Sequence, residues 1–172
     1  MLTNNMVTAF ATYIKAKESG PCPLKDYNGN YNPANYQSNL IFDSLANFGT
    51  VNSYKSQKLK SWIELGSGVT APQKSDYVLE SRYSFSNYSL DSVSVGFSDM
   101  AYSDMTYGRK IIYTTNCTWK GSNGASICEI GLFCGDTYYS ANWSVFMVAR
   151  EVLNTPITVN NGDVFTVSIT IG

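Results

Sequence analysis

From about residue 58 onward the chain alternates apolar and polar residues with the two-residue period of a β-strand, one segment after another, with turn signals between them. Leu59, Ser61, Ile63 and Leu65 run into the turn Gly66-Ser67-Gly68. Residues 78 to 85 read as the next strand, and residues 92 to 98 follow with Val93, Val95 and Phe97 on one face. Residues 109 to 119 form a long β-branched run. Residues 127 to 134 and 145 to 152 are mostly apolar, as central strands covered on both faces are. Residues 156 to 159 lead through Asn160-Asn161-Gly162-Asp163, read as a hairpin turn, into a last strand that puts Phe165, Val167, Ile169 and Ile171 on one face. About seven or eight short strands at this spacing predict a mainly β fold, an antiparallel sandwich or barrel.

The first 57 residues follow another rule. Residues 5 to 18 read as a helix, because Met6, Phe10, Tyr13 and Ile14 fall at i, i+4, i+7 and i+8 on one stripe. Thr3 or Asn5 caps its start and Gly20-Pro21 ends it. That stripe packs either on its own domain or on a neighbouring subunit. Residues 20 to 39 are dense in turn signals, and Asn28-Gly29 can close a short hairpin between Tyr27 and Tyr31. This stretch reads as an extended arm anchored by Tyr27, Tyr31 and Tyr36. Residues 40 to 48 fit either a strand or a helix. The expected organisation is therefore an attachment or oligomerisation region at 1–57 and a β-sandwich domain at 58–172.

Composition narrows the function classes. Charged residues make up only 15% of the 172 residues, below the roughly 25% usual for soluble domains, which points to surface covered by partners or made polar by Ser, Thr, Asn and Tyr. The net charge is −1 and there is no basic run, so binding nucleic acid by neutralising phosphates is not expected. No apolar stretch is long enough to span a membrane as a helix. Residues 1–6 show no basic region followed by an apolar run, so no signal peptide is expected and folding in a cytoplasm is. Cys22, Cys117, Cys128 and Cys134 match no zinc spacing and there is no His to join them, so buried free thiols are expected, with no metal or cofactor. The sequons at Asn87, Asn116 and Asn142 need a secretory route and are read as chance.

The absence of His rules out Ser-His-Asp and Cys-His nucleophiles, and the glycine turn at 66 to 68 is not followed by the Lys and Thr of a phosphate-binding loop. Paired carboxylates for glycoside hydrolysis would have to come from Glu64, Asp76, Glu80, Asp91, Asp99 and Asp104, whose spacing does not set them apart from solvated charges at strand ends. Asp99 and Asp104 lack the acidic density of a calcium loop. Physical readings account for the other singular residues. Gly66 and Gly68 would supply positive φ at a tight turn, and Pro72 fixes the loop beyond it. Gly131 marks a bulge or a close approach of another backbone. Glu129 and Arg150 are charges in apolar strands, so a structural salt bridge between them is expected.

Three stretches resemble a known family. Ile63-Glu64-Leu65-Gly66-Ser67-Gly68-Val69-Thr70-Ala71-Pro72, with Asp76-Tyr77 and Leu79-Glu80, is similar to the "GTGTTAP…DY.LE" pattern of small structural proteins of tailed bacteriophages, gut phages especially. Glu129-Ile130-Gly131-Leu132-Phe133 is similar to their "EVGLF" strand. Residues 147 to 152, with Pro156, Val159 and Gly162, are similar to their "LLAR.VL..P..V..G" close. Order and spacing agree over roughly residues 62 to 172, while Ser67 stands where Thr is commoner and the first 60 residues carry no such motif. The resemblance implies a non-enzymatic virion protein of a fibre, the tail or the capsid surface, assembled in the host bacterial cytoplasm. It further implies a homo-oligomer, with a trimer as first expectation, that contacts other virion proteins. The alternative is a receptor-binding module in which Tyr102, Tyr107, Tyr138, Tyr139 and Trp143 stack on host-surface carbohydrate.

Overall fold

The computed structural model describes residues 1–3, 24–26, 29–32, 59–101, 107–136 and 145–171. Its strands are β1 (Leu24–Lys25), β2 (Tyr31–Asn32), β3 (Leu59–Gly66), β4 (Tyr88–Ala101), β5 (Tyr107–Trp119), β6 (Ala125–Asp136), β7 (Val145–Val159) and β8 (Val164–Ile171). A 3-10 turn at Phe85–Asn87 precedes β4. The long strands form two three-stranded sheets, β3-β6-β7 and β4-β5-β8, in which every neighbouring pair is antiparallel. The chain changes sheet after β3, β5 and β7, so the β6–β7 pair is nested between β5 and β8 of the other sheet. One cluster of buried apolar side chains draws on both sheets, including Ile63, Leu65, Ile130 and Leu132 from the first and Tyr88, Tyr113, Trp119, Val167 and Ile169 from the second. The fold is thus mainly β, and the shared core between two antiparallel sheets is consistent with a β-sandwich.

The two sheets use different sequence patterns because they are covered differently. In β4-β5-β8 the alternation separates a buried face from a wet one. Tyr113, Thr115, Cys117 and Trp119 of β5 are buried, as are Val167 and Ile169 of β8, while Asn116, Thr166, Ser168 and Thr170 are exposed. In β3-β6-β7, residues 61–66 and 127–135 are buried without interruption. One face of that sheet joins the common core, and the segment at 67–82 lies over the other, its Leu79 side chain against Gly131.

Several expectations need correction. Residues 78 to 85 are not a strand; apart from a single bridge between Arg82 and Gly66 they run as turn and irregular backbone, since the Glu80 and Ser81 amides serve a carboxylate on the sheet below. The two segments at 145–152 and 156–159 are one strand, β7, whose register against β6 shifts between Ile127 and Glu129. Pro156 falls in the unpaired residues of that shift, where its missing N–H costs no ladder bond. The turn at 160–163 is not a hairpin, since β7 and β8 belong to different sheets. It is a corner in which Gly162 takes φ 91° and its N–H donates to the Trp119 carbonyl. The turn after β5 locks onto it, through Asn161 N–H to Asn123 Oδ1 and Gly124 N–H to Asn160 Oδ1.

In the first 57 residues, β1 and β2 form the small hairpin expected at Asn28-Gly29, with Lys25 opposite Tyr31 and Gly29 at φ 82°. It leans on the 67–82 segment, with Lys25 Nζ 4.0 Å from the centre of the Tyr77 ring. Residues 1–3 run antiparallel along β7. Thr3 N–H donates to the Val148 carbonyl, its buried hydroxyl donates to the Met147 carbonyl, and Arg150 N–H donates to the Met1 carbonyl. The predicted helix at 5 to 18, with Met6, Phe10, Tyr13 and Ile14, lies outside the described residues, as do Tyr27, Tyr36, residues 40 to 48 and Cys22.

Candidate functional site

The face of β3-β6-β7 beneath the 67–82 segment carries the charge that its sequence would otherwise leave stranded. Register places Glu64 of β3 opposite Gly131 of β6, and Gly131 opposite Arg150 of β7. One pleat along, Gly66 faces Glu129. Residues two apart on a strand share a face, so Glu64, Gly66, Glu129, Gly131 and Arg150 form one patch with the glycines between the charges.

Glu129 is completely buried. Its Oε1 accepts from Gly68 N–H at 3.1 Å and Ser81 N–H at 2.7 Å. Its Oε2 accepts from Glu80 N–H at 3.1 Å and Arg150 Nε at 2.9 Å. Four donors use the four lone-pair sites of a carboxylate, which leaves no oxygen to move a proton or bind a substrate. Arg150 Nη2 sits 2.9 Å from the same Glu129 oxygen, off the hydrogen-bond direction, and 3.6 Å from Glu80, while Nη1 reaches Asp76 at 2.7 Å. Burial works against the Arg150 charge, but the hydrogen bonds to Asp76 and Glu129 outweigh it and hold its pKa above the ordinary arginine value. Thr70 donates both N–H and hydroxyl to Glu80, and these bonds, the hydroxyl's foremost, hold its carboxyl below the usual range.

Gly66 and Gly68 do not take positive φ here; the reason for glycine is space. A Cβ on Gly66 would lie 2.5 Å from Glu129 Oε1 and 2.7 Å from the Ser81 carbonyl oxygen, and one on Gly68 would lie 2.6 Å from the same Glu129 oxygen. At Gly131 the close neighbours are side chains, Phe133 at 2.7 Å and Leu79 at 2.8 Å from the position of a Cβ, rather than another backbone. Pro72 lies in the loop between Thr70 and Gln73, whose N–H donates to Asp76.

Glu64 is the second buried acid of this face. Its Oε1 accepts from Trp62 Nε1 at 2.9 Å and its Oε2 lies 3.3 Å from Arg82 Nη1. Burial pushes its pKa up to about 7, against the smaller lowering from the Trp62 hydrogen bond. An open cleft of 380 Å³ beside Arg150 is bordered by Lys25, Thr70, Asp76, Tyr77 and Glu80; Glu64 does not line it.

Of the carboxylates weighed for catalysis, Glu64, Asp76 and Glu80 therefore gather here, each already engaged by the protein's own donors. Asp91 lies on the other sheet, where bonds from Thr118 and then Ser89 lower its pKa. Asp104 is outside the described residues. The carbohydrate-contact candidates Tyr102, Tyr138, Tyr139 and Trp143 are outside them too, while the backbones of Tyr107 and Tyr31 fall in β5 and β2. Cys117, Cys128 and Cys134 are buried and free, and burial raises the Cys117 thiol to about 12 and the Cys134 thiol further. Among the described residues no group of three or more Cys, Asp or Glu is placed to hold a metal ion.

Sequence reasoning paired only Glu129 with Arg150; it weighed Glu64, Asp76 and Glu80 separately as carboxylates and did not single out Trp62 or Arg82. Trp62 was within reach, since it stands two residues before Glu64 and so shares its face. The arrangement as a whole holds one loop to one sheet face through two buried acids, Glu129 with four donors and Glu64 with two. Comparison with known proteins returns no matching family model, no matching curated protein and no matching solved structure.

Proposed function

We propose that this chain is a structural protein of a bacteriophage particle, a fibre, tail or capsid-surface component that works by protein–protein assembly and not by catalysis. In this reading the two sheets make a jelly-roll-like sandwich, the assembled unit is a closed cyclic homo-oligomer, and other virion proteins are its further partners. The observation that carries it is where the three phage-like stretches meet. The Gly66-Ser67-Gly68 loop with Asp76 and Glu80, the Glu129 strand and the Arg150 strand converge on one ion-pair clamp. The residues that carry the resemblance thus build a scaffold, and the buried acid at its centre has no lone pair free for chemistry. The low charge content favours the same reading, since a surface destined for partners needs fewer solvated ions. Quantitative mass spectrometry of purified particles tests it. The expected result is the chain at a fixed, stoichiometric copy number that survives high-salt washing. Absence from washed particles of a phage that encodes it would overturn the proposal.

A further inference from the structure

A strand at the edge of a sheet presents unpaired N–H and C=O groups, and natural proteins blunt such edges with charge, Pro, Gly, bulges or a covering segment. Among the described residues, three of the four edges of the two three-stranded sheets are managed in that way. β3 carries Lys60 and Glu64. β4 carries Asp91, Gly96 and Asp99, and its register shifts between Leu90 and Ser92. β7 carries Arg150, Glu151 and Pro156 and is paired by residues 1–3. The fourth edge is β8, Val164-Phe165-Thr166-Val167-Ser168-Ile169-Thr170-Ile171. It has no charge, no Pro and no Gly, it pairs with β5 over eight consecutive residues without a shift, and among the described residues nothing pairs with its outer side.

Its sequence is also nearly the same read in either direction about Ser168. Val167 mirrors Ile169, Thr166 mirrors Thr170, and Phe165 mirrors Ile171. An antiparallel pair of identical strands crossing at Ser168 sets each residue opposite its mirror mate. The exposed hydroxyl residues then continue one wet face, and the buried Val167 and Ile169 continue the apolar one. Phe165 and Ile171, half-buried in the single chain, come opposite each other across the junction.

We propose that β8 is a self-association edge, where a second copy of this chain adds its own β8 antiparallel about a twofold axis at Ser168 and extends β4-β5-β8 into one continuous six-stranded sheet. The inference rests on the assembly reading only in that the chain self-associates; it names the contact and makes the unit a dimer or a multiple of dimers. Backbone hydrogen bonds supply the attraction, and the mirrored side chains fix the register.

Sedimentation equilibrium of the full chain tests this with three proteins: wild type, Thr166→Lys/Thr170→Lys and Thr166→Glu/Thr170→Glu. Both substituted positions are exposed, so the single-chain fold tolerates them, and far-UV circular dichroism checks that it does. Each variant sets like charges directly opposite across the axis. The expected result is dimers of the wild type, at least tenfold weaker association of either variant alone, and dimers restored when the two variants are mixed. Should a variant lose its β signal, Ser168→Cys replaces it, with a disulfide-linked dimer forming on mild oxidation because the residue meets itself at the axis. Wild-type oligomers indifferent to both variants, or no Ser168→Cys cross-link, would overturn the β8 contact and leave the assembly reading standing. A wild type monomeric at all concentrations would end both.

Discussion

Glu129 shows how a residue can be legible in the sequence while its reason is not. A carboxylate in an apolar strand demands a partner, and Arg150 in another such strand is the natural one, at 2.9 Å. The glycines of the preceding loop were legible as a turn, but their purpose is room for that carboxylate, a tertiary fact with no local signature. Gly66→Ala should therefore destabilise the protein by roughly 1–3 kcal/mol, since an added methyl in a tight site must displace the Glu129 carboxylate or the Ser81 backbone. Urea unfolding measures this, and an unchanged midpoint would show that the loop has slack. Glu64 makes a second prediction. Its folded pKa of about 7 stands above the ordinary 4.5, so between those values the unfolded chain loses the proton while the folded chain keeps it. Stability contributed by Glu64 is then full below pH 4.5 and falls as pH rises to 7, by about 3 kcal/mol at most. Glu80 and Asp91, with lowered pKa values, act in the opposite sense, and only as pH falls into the ordinary carboxylate range and below. Glu64→Gln should abolish the fall between pH 4.5 and 7 while keeping an oxygen for Trp62. Wild-type and variant stability curves that run parallel across that window would refute the assignment.

At the scale of elements, strict alternation was the readable signal. β3, β4 and β8 follow from it because one face of each pattern is apolar, while β5 was legible as a β-branched run. Residues 78 to 85 defeated it, since Val78, Leu79, Tyr83 and Phe85 mimic a strand while the amides of Glu80 and Ser81 are committed to Glu129. The corner at 160–163 defeated it too, because a hairpin turn and a change of sheet use the same Asn and Gly residues. Residues 1–3 were read only as the approach to a helix, whereas Thr3 is buried against β7. This sets the expectation for a truncated chain. Deleting residues 1–39 removes the cover of the β7 edge and the Lys25–Tyr77 contact. The β domain should still fold but lose ~2–4 kcal/mol, at about 1 kcal/mol for each hydrogen bond given up, and aggregate more readily. Thermal unfolding and light scattering of both forms check this, and an equal midpoint with no added aggregation would show that the first residues contribute nothing to the domain.

For the whole molecule, the two sheets give a scaffold whose buried charges serve the fold, and among the described residues Ser, Thr and Asn make up much of the exposed surface. The proposed assembly role asks for a scaffold of this kind, and the acid at the centre of the clamp, Glu129, has all four lone-pair sites taken by the protein's own backbone and side chains. The measurement that tests this most directly is a cryo-electron-microscopy map of particles from a phage encoding the chain. The account predicts symmetric density into which both three-stranded sheets fit, with contacts to neighbouring virion proteins. Particles whose complete map assigns all density to other proteins would contradict it.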